Sequence, residues 1–246
     1  MMKSLVLVAA ALLAVPAGAQ EVQRVEGRSV AIYNLAGRVD VVRGSGSEVV
    51  VRIDRGGADA DELRVETGEI RGRSTLRIVY PADEIVYPEM GRGSNTSLSV
   101  RDDGTFSDNS GRGGDRVRIQ GRGNGLEAWA DLVVEVPAGR DLAVYLATGE
   151  VDARDVDGDL LIDTRSGAVT AEGIAGSLDV DTGSGSVSVR GVVGDLRVDT
   201  GSGRVEVSDV RGREIEIDTG SGGVRGFGLD AEYVGIDTGS GSIELE

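Results

Sequence analysis

The sequence predicts an all-β fold, a single-chain parallel β-solenoid (β-helix) with coils of about 18–19 residues. The motif Asp-Thr-x-Ser-Gly begins at Asp163 and recurs at Asp181, Asp199, Asp218 and Asp237, so its period is nearly constant. Around each motif, apolar residues alternate with polar ones, as in strands that bury one face. Helical periodicity is absent. Because so short a repeat cannot bury its own apolar face, successive copies must stack.

Residues 1–19 have the features of a secretory signal peptide. Lys3 supplies the positive charge, residues 5–14 are apolar, and Ala17-Gly18-Ala19 is a small-residue cleavage site. The apolar run is too short to span a bilayer, so we expect no membrane insertion. We therefore predict an exported protein, periplasmic or secreted, whose residues 20–246 form one β-solenoid domain.

The N-terminal half follows the same plan less regularly, which predicts irregular N-terminal coils. The strand around Val30 and Ile32 leads to Gly37-Arg-Val39, and the strand around Leu63 and Val65 leads to Gly68-Glu-Ile70. Residues 88–125 contain nine glycines together with Ser, Asn and Asp. That composition predicts a flexible, disordered insertion between coils.

The composition excludes several classes of chemistry. The chain has no cysteine and no histidine, and Lys3 is its only lysine. Ser-His-Asp, Cys-His and Ser-Lys catalysis are therefore excluded, as is zinc held by His or Cys. The net charge of −16 makes nucleic acid and anionic membranes poor partners. We expect the partner to be an unidentified protein or a cell-surface glycan.

The repeated motif resembles the Asp-Thr-Gly signature of aspartic proteases, but we interpret it as a turn. Such a protease needs two carboxylates that share one proton in one cleft, which closely spaced tandem copies do not provide. The copy at Tyr145 lacks the Asp and keeps the glycine, Gly149. Asp and Ser side chains can instead bond the backbone of a tight turn. We predict that the chain has no catalytic residues.

The second glycine of the motif is present in every copy, so we predict that it occupies a structural turn with positive φ. The first glycine is replaced by Arg165 in one copy and is not expected to need that conformation. Thr182 has the same parity as Val180 and is predicted to face inward. The turn positions are Gly149, Gly167, Gly185, Gly203, Gly222 and Gly241.

Stacked coils would place the motif carboxylates in one row, about 4.8 Å apart. Like charges at that spacing repel unless they are compensated. Calcium that bridges neighbouring carboxylates is one compensation, and Asx-turn bonds, water and salt, helped by Arg197, are the other. No cofactor is otherwise expected. The calcium candidates are Asp163, Asp181, Asp199, Asp218 and Asp237.

Three segments carry a family resemblance. The Asp-Thr-Gly-Ser-Gly-x-Val tandem, the segment Asn34-Leu-Ala-Gly-Arg-Val and the segment Val134-Glu-Val-Pro-Ala-Gly resemble bacterial adhesin-like, β-strand-repeat domains of unknown function. The resemblance covers nearly all of residues 20–246. It implies an exported β-helix with a role in cell-surface adhesion.

The expected function is thus a non-enzymatic structural or interaction module, with adhesion as one form of it. The alternative is a calcium- or glycan-binding, or glycan-cleaving, β-helix, which would need a groove with grouped carboxylates and aromatic rings. Trp129 is interpreted as packing beneath the insertion rather than as a sugar platform. In the strand Ile243-Glu-Leu245, alternation places Glu244 on the solvent face, and charge on an edge strand opposes association. We therefore expect a monomer.

Overall fold

The computed structural model describes residues 21–106 and 114–246, and this part of the chain is all-β, as predicted. The proposed signal peptide lies outside the described residues. Two short 3₁₀ helices, Ala60–Glu62 and Pro88–Met90, are the helical segments of the described part. No helix in it is long and apolar enough to cross a membrane.

The strands alternate between two facing sheets and, in one region, form a third. In chain order they are β1 (Glu21–Val25), β2 (Ser29–Ala36), β3 (Val39–Gly44), β4 (Val49–Gly56), β5 (Arg64–Ile70), β6 (Arg73–Val79), β7 (Glu84–Val86), β8 (Asn95–Val100), β9 (Asp115–Gln120), β10 (Leu126–Glu127), β11 (Trp129–Pro137), β12 (Asp141–Thr148), β13 (Val151–Arg154), β14 (Leu160–Ser166), β15 (Val169–Ala175), β16 (Leu178–Thr182), β17 (Val187–Val193), β18 (Leu196–Ser202), β19 (Val205–Arg211), β20 (Glu214–Ser221), β21 (Val224–Asp230), β22 (Tyr233–Thr238) and β23 (Ile243–Leu245).

From β12 onward, the even-numbered strands belong to one sheet and the odd-numbered strands to the other. Each repeat therefore contributes one strand to each sheet. The nine-stranded sheet has the order β22-β20-β18-β16-β14-β12-β2-β6-β5. The ten-stranded sheet has the order β1-β4-β11-β3-β13-β15-β17-β19-β21-β23. Neighbouring repeats pair in parallel at equivalent positions in both sheets, which gives a β-solenoid-like stack.

The core consists of straight rows of aliphatic side chains between the two sheets. In the nine-stranded sheet, Leu160 pairs with Leu178, which pairs with Leu196, and all three are at most 2% exposed. In the ten-stranded sheet, Val169 and Val187 form an equivalent row. Each such residue contributes about 1.5–3 kcal/mol by burial. A chain without cysteine can therefore hold this stack together through neighbour contacts.

The N-terminal region adds to the stack out of chain order. Strands β2 and β3 pair in parallel with β12 and β13, so that Val30 lies beside Leu142, which comes far later in the chain. Strand β4 is antiparallel to β1 and β11, and β5 forms an antiparallel hairpin with β6. Gly37 occupies a corner, as predicted. The similar prediction for Gly68 is wrong, because Gly68 lies inside the hairpin strand β5.

The prediction of a flexible insertion at residues 88–125 does not hold for the described residues. Strands β7 to β10 form a four-stranded sheet of order β10-β7-β9-β8. The alternating residues Val117 and Ile119 of β9 are buried, as is Phe106. The glycines thus mark turns between short strands whose buried side chains belong to the main hydrophobic core. Trp129 packs against Tyr87 of this region, with ring centroids 5.8 Å apart, as expected for a residue beneath the insertion.

A column of corner glycines connects the coils. A Cβ atom placed on Gly167 would overlap the carbonyl oxygen of Gly149, and one placed on Gly185 would overlap that of Gly167. The N–H groups of Gly167 and Gly185 donate to the carbonyls of Ser184 and Ser202 in the next coil, at 2.9 and 3.0 Å. The corner therefore requires glycine because two backbones approach closely. The column comprises Gly37, Gly149, Gly167, Gly185, Gly203, Gly222 and Gly241.

Backbone conformation is a second reason for glycine at only some of these corners. φ is 131° at Gly149, 152° at Gly167, 156° at Gly185 and 157° at Gly203. Gly222 and Gly241 do not have a left-handed φ, so the prediction of positive φ is wrong for these two. A Cβ on Gly222 would nevertheless overlap the carbonyl oxygen of Gly203. The close approach of two backbones is therefore the reason for glycine at every position of the column.

A second column of residues bends the strands of the ten-stranded sheet. Six residues after each corner glycine from Gly149 to Gly222, the chain has either Gly or Asp in the left-handed conformation, with φ between 55° and 70°. These residue types adopt that conformation most readily. The bend places Val189 and Val192, on either side of Gly191, both in the core. The column comprises Asp155, Gly173, Gly191, Asp209 and Gly228.

Three single substitutions separate the two reasons for corner glycine. Gly222→Ala introduces a Cβ overlap without a left-handed φ, and Gly46→Ala introduces a methyl group at φ 104° in open space. We expect Gly222→Ala to destabilise the protein by more than about 1 kcal/mol, and by more than Gly46→Ala. Gly203→Ala, which combines both effects, should be at least as damaging as Gly222→Ala. Chemical unfolding measures all three, and equal losses for Gly222→Ala and Gly46→Ala would contradict the close-approach requirement.

Candidate functional site

The structure places the Thr, Gly and Asp residues of the repeated motif in three different environments. The threonines face the core, and Thr164, Thr182, Thr200 and Thr219 have no exposed surface. This confirms the predicted inward orientation of Thr182, whose hydroxyl lies 2.9 Å from that of Thr164. The glycines form the corners. The aspartates lie on the outer face, which is where a functional site would be expected.

The motif aspartates form one row on the nine-stranded sheet. Asp163 pairs with Asp181, and the pairing continues through Asp199 and Asp218 to Asp237. Within residues 21–106 and 114–246, no three acidic side chains are gathered closely enough to hold a metal ion. The structure therefore places the calcium candidates in register without clustering them into a metal site.

Arg197 is the cation beside this row. Its guanidinium lies 3.0 Å from the Glu216 carboxylate and 3.9 Å from that of Asp199. Arg197, which was expected from the sequence to help compensate the row, thus lies near one of its carboxylates, that of Asp199. Beyond Asp163 the row continues with aromatic residues. Tyr145 pairs with Asp163 on one side and with Tyr33 on the other.

Tyr33 and Tyr145 stack face to face on the outer surface of the sheet. Their ring centroids are 4.5 Å apart and their planes differ by 4°. Phe106 contacts Tyr33 edge-on, at 5.8 Å. Burial, followed by the neighbouring Tyr145, raises the pKa of Tyr33 to about 12. Both tyrosines are half-buried, so one aromatic stack lies beside the acidic row.

The same outer face carries a groove of about 440 Å³ that crosses the coils. Two parallel rows of side chains border it, and the strand backbone between them forms its floor. We call the first the corner row, which consists of Ser29, Asp141, Asp159, Ser177, Asp195 and Glu214. We call the second the strand row, which consists of Ala143, Leu161, Asp179, Arg197 and Glu216.

Two carboxylates of the corner row connect consecutive coils. Asp159 accepts a hydrogen bond from the Ser177 N–H at 2.8 Å. Asp195 accepts one from the Arg213 N–H at 2.9 Å and contacts the Arg213 guanidinium at 2.6 Å. These hydrogen bonds hold the pKa of Asp195 below its usual range. These hydrogen bonds therefore fix two carboxylates of the corner row to the next coil.

The strand row changes from apolar to charged along the groove. Ala143 is buried and Leu161 is half-buried, although both point outward. Asp179 follows Leu161 in the next coil and is also half-buried. Burial is the main cause that raises the pKa of Asp179; Arg197 opposes this shift and Asp199 adds to it. The groove thus combines an apolar centre with partly desolvated acidic groups.

The fold and these surfaces define an all-β, repeat-built protein of the β-solenoid-like class. Residues 129–246 match the model of the Toastrack DUF4097 family. Over this range the chain is similar to that family, whose function is unknown. The match confirms the resemblance drawn from the repeats, and the segment at Asn34 lies outside it.

One solved structure is also similar. It is described as that of a putative cell adhesion protein from Clostridium sporogenes. The overlay covers 92% of this chain and 98% of the other, with 12% sequence identity and a TM-score of 0.43. No curated protein matches the chain significantly.

Sequence reasoning did not find the groove. The motif drew attention to the aspartates, which lie in the next outward row. A signal was nevertheless present, because the residue after the first core position changes from Ala143 through Leu161 to Asp179, whereas the core position itself stays aliphatic. An outward leucine in a strand of otherwise alternating polarity marks such a surface.

Replacing Asp179 tests the electrostatics of the groove. A raised pKa means that the folded protein disfavours the charged carboxylate, so its ionisation costs stability at pH values above the folded-state pKa. We expect Asp179→Asn to raise the thermal midpoint at pH 7. The gain should disappear below the usual Asp pKa of about 3.9, where the carboxyl is protonated in both states. The control Glu206→Gln, on the ten-stranded sheet, should change the midpoint little. A lower midpoint for Asp179→Asn at pH 7 would show that Arg197 outweighs burial.

Proposed function

We propose that the protein is a non-enzymatic, exported interaction module, adhesin-like in its role, that binds a partner through the outer faces of its stacked sheets. The observation that supports this proposal is that the core-facing residues are alike from coil to coil, whereas the outward-facing residues differ. From β12 to β20 the first core position of the nine-stranded sheet is always a branched aliphatic residue, as at Leu160 and Ile215. One residue later, on the outer face, it has Leu161, Asp179 and Arg197 in successive coils.

A repeat array with a uniform core and a varied surface is the arrangement used by scaffolds that present a binding surface. The motif residues support the same proposal. Threonine belongs to the core, glycine to the corners, and the aspartates form a row rather than a catalytic pair in one cleft. Carboxylates remain able to transfer protons, so glycan cleavage stays the enzymatic alternative. Because the sequence lacks histidine and cysteine, the groups left for catalysis are carboxylates, arginines, hydroxyls and backbone.

Glycan binding is a second candidate, favoured by one observation. The stacked Tyr33 and Tyr145 lie on the same face as the acidic row and the groove. Aromatic rings beside polar groups offer an apolar face together with hydrogen-bonding partners. This candidate predicts that binding depends on Tyr145, whereas the interaction with a protein depends on the charged rows.

Two matched variants test which outer face binds. One replaces Asp179, Arg197 and Glu216 by Ser on the nine-stranded sheet; the other replaces Glu206, Arg225 and Glu244 by Ser on the ten-stranded sheet. Each removes two anions, one cation and two ion pairs. These are Arg197–Glu216 at 3.0 Å and Arg197–Asp199 at 3.9 Å in the first variant, and Arg225–Glu244 at 2.8 Å and Arg204–Glu206 at 3.7 Å in the second.

The immobilised protein and both variants are exposed to a native envelope fraction and cross-linked. We expect a partner that the unmodified protein and one variant capture and the other variant does not. Identical capture by all three proteins would contradict binding through these faces. Hydrolysis of envelope glycan that Asp179→Asn abolishes would instead show an enzyme.

A further inference from the structure

We propose that the groove on the nine-stranded sheet binds an extended, lysine- or arginine-rich peptide segment of a partner. This inference rests on the proposed function and names the class of ligand. It is supported by the shape of the groove, by its charge and by the outward-pointing Leu161 near its centre.

The shape of the groove fits a linear ligand. Its corner row runs from Ser29 to Glu214 and therefore crosses six neighbouring strands. Strands in a sheet are about 4.8 Å apart, so the groove is about 24 Å long. An extended chain advances about 3.3 Å per residue, so the groove accommodates about seven residues. It is open along its length, as a segment within a larger partner requires.

The charge of the groove selects a cation. Acidic side chains occur in both rows, at Asp141, Asp159 and Asp195 in the first and at Asp179 and Glu216 in the second. The groove also has two arginines, Arg73 and Arg197, and Arg197 is already paired with Glu216 at 3.0 Å. Electrostatic complementarity favours partners of opposite charge and suppresses those of like charge. An acidic or strongly anionic ligand is therefore disfavoured.

Two corner-row carboxylates remain available to such a ligand. In the described part of the chain, no ion pair joins Asp141 or Glu214 to an arginine, in contrast to Asp195, which contacts Arg213 at 2.6 Å. These two carboxylates lie toward opposite ends of the row. A peptide with several basic residues could engage both at once.

The apolar centre favours basic side chains over compact cations. Leu161 points outward and is half-buried between Ala143 and Asp179 in the strand row. Lysine and arginine bury their aliphatic stems against apolar surface while the charged head reaches polar groups. Leu161 offers that surface and Asp179, in the next coil, offers the acceptor. A neutral glycan would instead be expected on the adjacent Tyr145.

Fluorescence anisotropy with defined probes tests the proposal on the full chain. The probe is a labelled octapeptide of alternating Lys and Ser, and the controls are the Glu-Ser octapeptide and a neutral hexamer of N-acetylglucosamine. We expect the Lys-Ser peptide to bind, more weakly as salt is raised because charge pairs are screened. The Glu-Ser peptide should not bind.

Matched variants locate the site. Asp141→Asn with Glu214→Gln should weaken binding by about tenfold, which corresponds to about 1.4 kcal/mol. Leu161→Ser should also weaken it, by about threefold or more. The control, Glu172→Gln with Glu206→Gln, removes the same charge from the ten-stranded sheet and should leave the affinity within about twofold. Circular dichroism confirms that each variant is folded.

Three results would overturn the proposal. Equal weakening by the groove pair and the control pair would mean attraction to the net charge of −16 rather than binding in the groove. Binding of the sugar hexamer without binding of the Lys-Ser peptide would assign the face to glycan. Failure of every probe at low salt would also refute the groove as a cation site. The envelope capture experiment could still succeed in that case, so the two proposals fail separately.

Discussion

The close approach of backbones at the corner glycines is the constraint on which the rest of the structure depends. Neighbouring coils are separated by the strand spacing of a β-sheet, about 4.8 Å. At the corner the Cβ direction points at the carbonyl oxygen of the preceding coil, so that any side chain on Gly167 or Gly185 would meet backbone. Once these corners are superimposed, the flanking strands can pair only at equivalent positions. The rows of Leu160, Thr164 and Asp163 side chains follow from that register.

This register divides the repeat into a scaffold and a surface. Inward positions must remain aliphatic or, at the threonine row, small, because every coil places the same position in the same layer of the core. Outward positions meet only their neighbours in the same row and are free to vary. The change from Ala143 through Leu161 to Asp179 uses that freedom, and it produces the groove with an apolar centre and acidic surroundings.

The local sequence pattern was sufficient to predict the repeats. It was insufficient to predict the structure of the insertion and the pairing of segments that are far apart in the chain. Alternation and spacing predicted the all-β class, the inward Thr182 and the corner at Gly37. The insertion was predicted as disordered because its glycines outweighed the short alternation at Val117 and Ile119, whose side chains belong to the main hydrophobic core. The pairing of β2 with β12 joins segments far apart in the chain and has no local signal. At Gly222 the requirement for glycine was predicted correctly but for the wrong reason. Glycine is needed there because a Cβ atom would overlap the carbonyl oxygen of the neighbouring coil, and not because φ is left-handed.

Deleting one coil tests the register constraint most directly. Removal of residues 182–199 joins Asp181 to Thr200, takes out one complete repeat and leaves every row in phase. Removal of residues 182–198 deletes one residue fewer and joins Asp181 to Asp199. The residues after the junction are then shifted by one position, so the following strand presents its core residues to solvent. We predict that the complete-repeat deletion unfolds cooperatively at a slightly lower temperature and keeps its β-sheet circular dichroism, whereas the shorter deletion loses its cooperative transition. Equal stability of the two proteins would contradict the claim that coil register, set at the glycine corners, determines this fold.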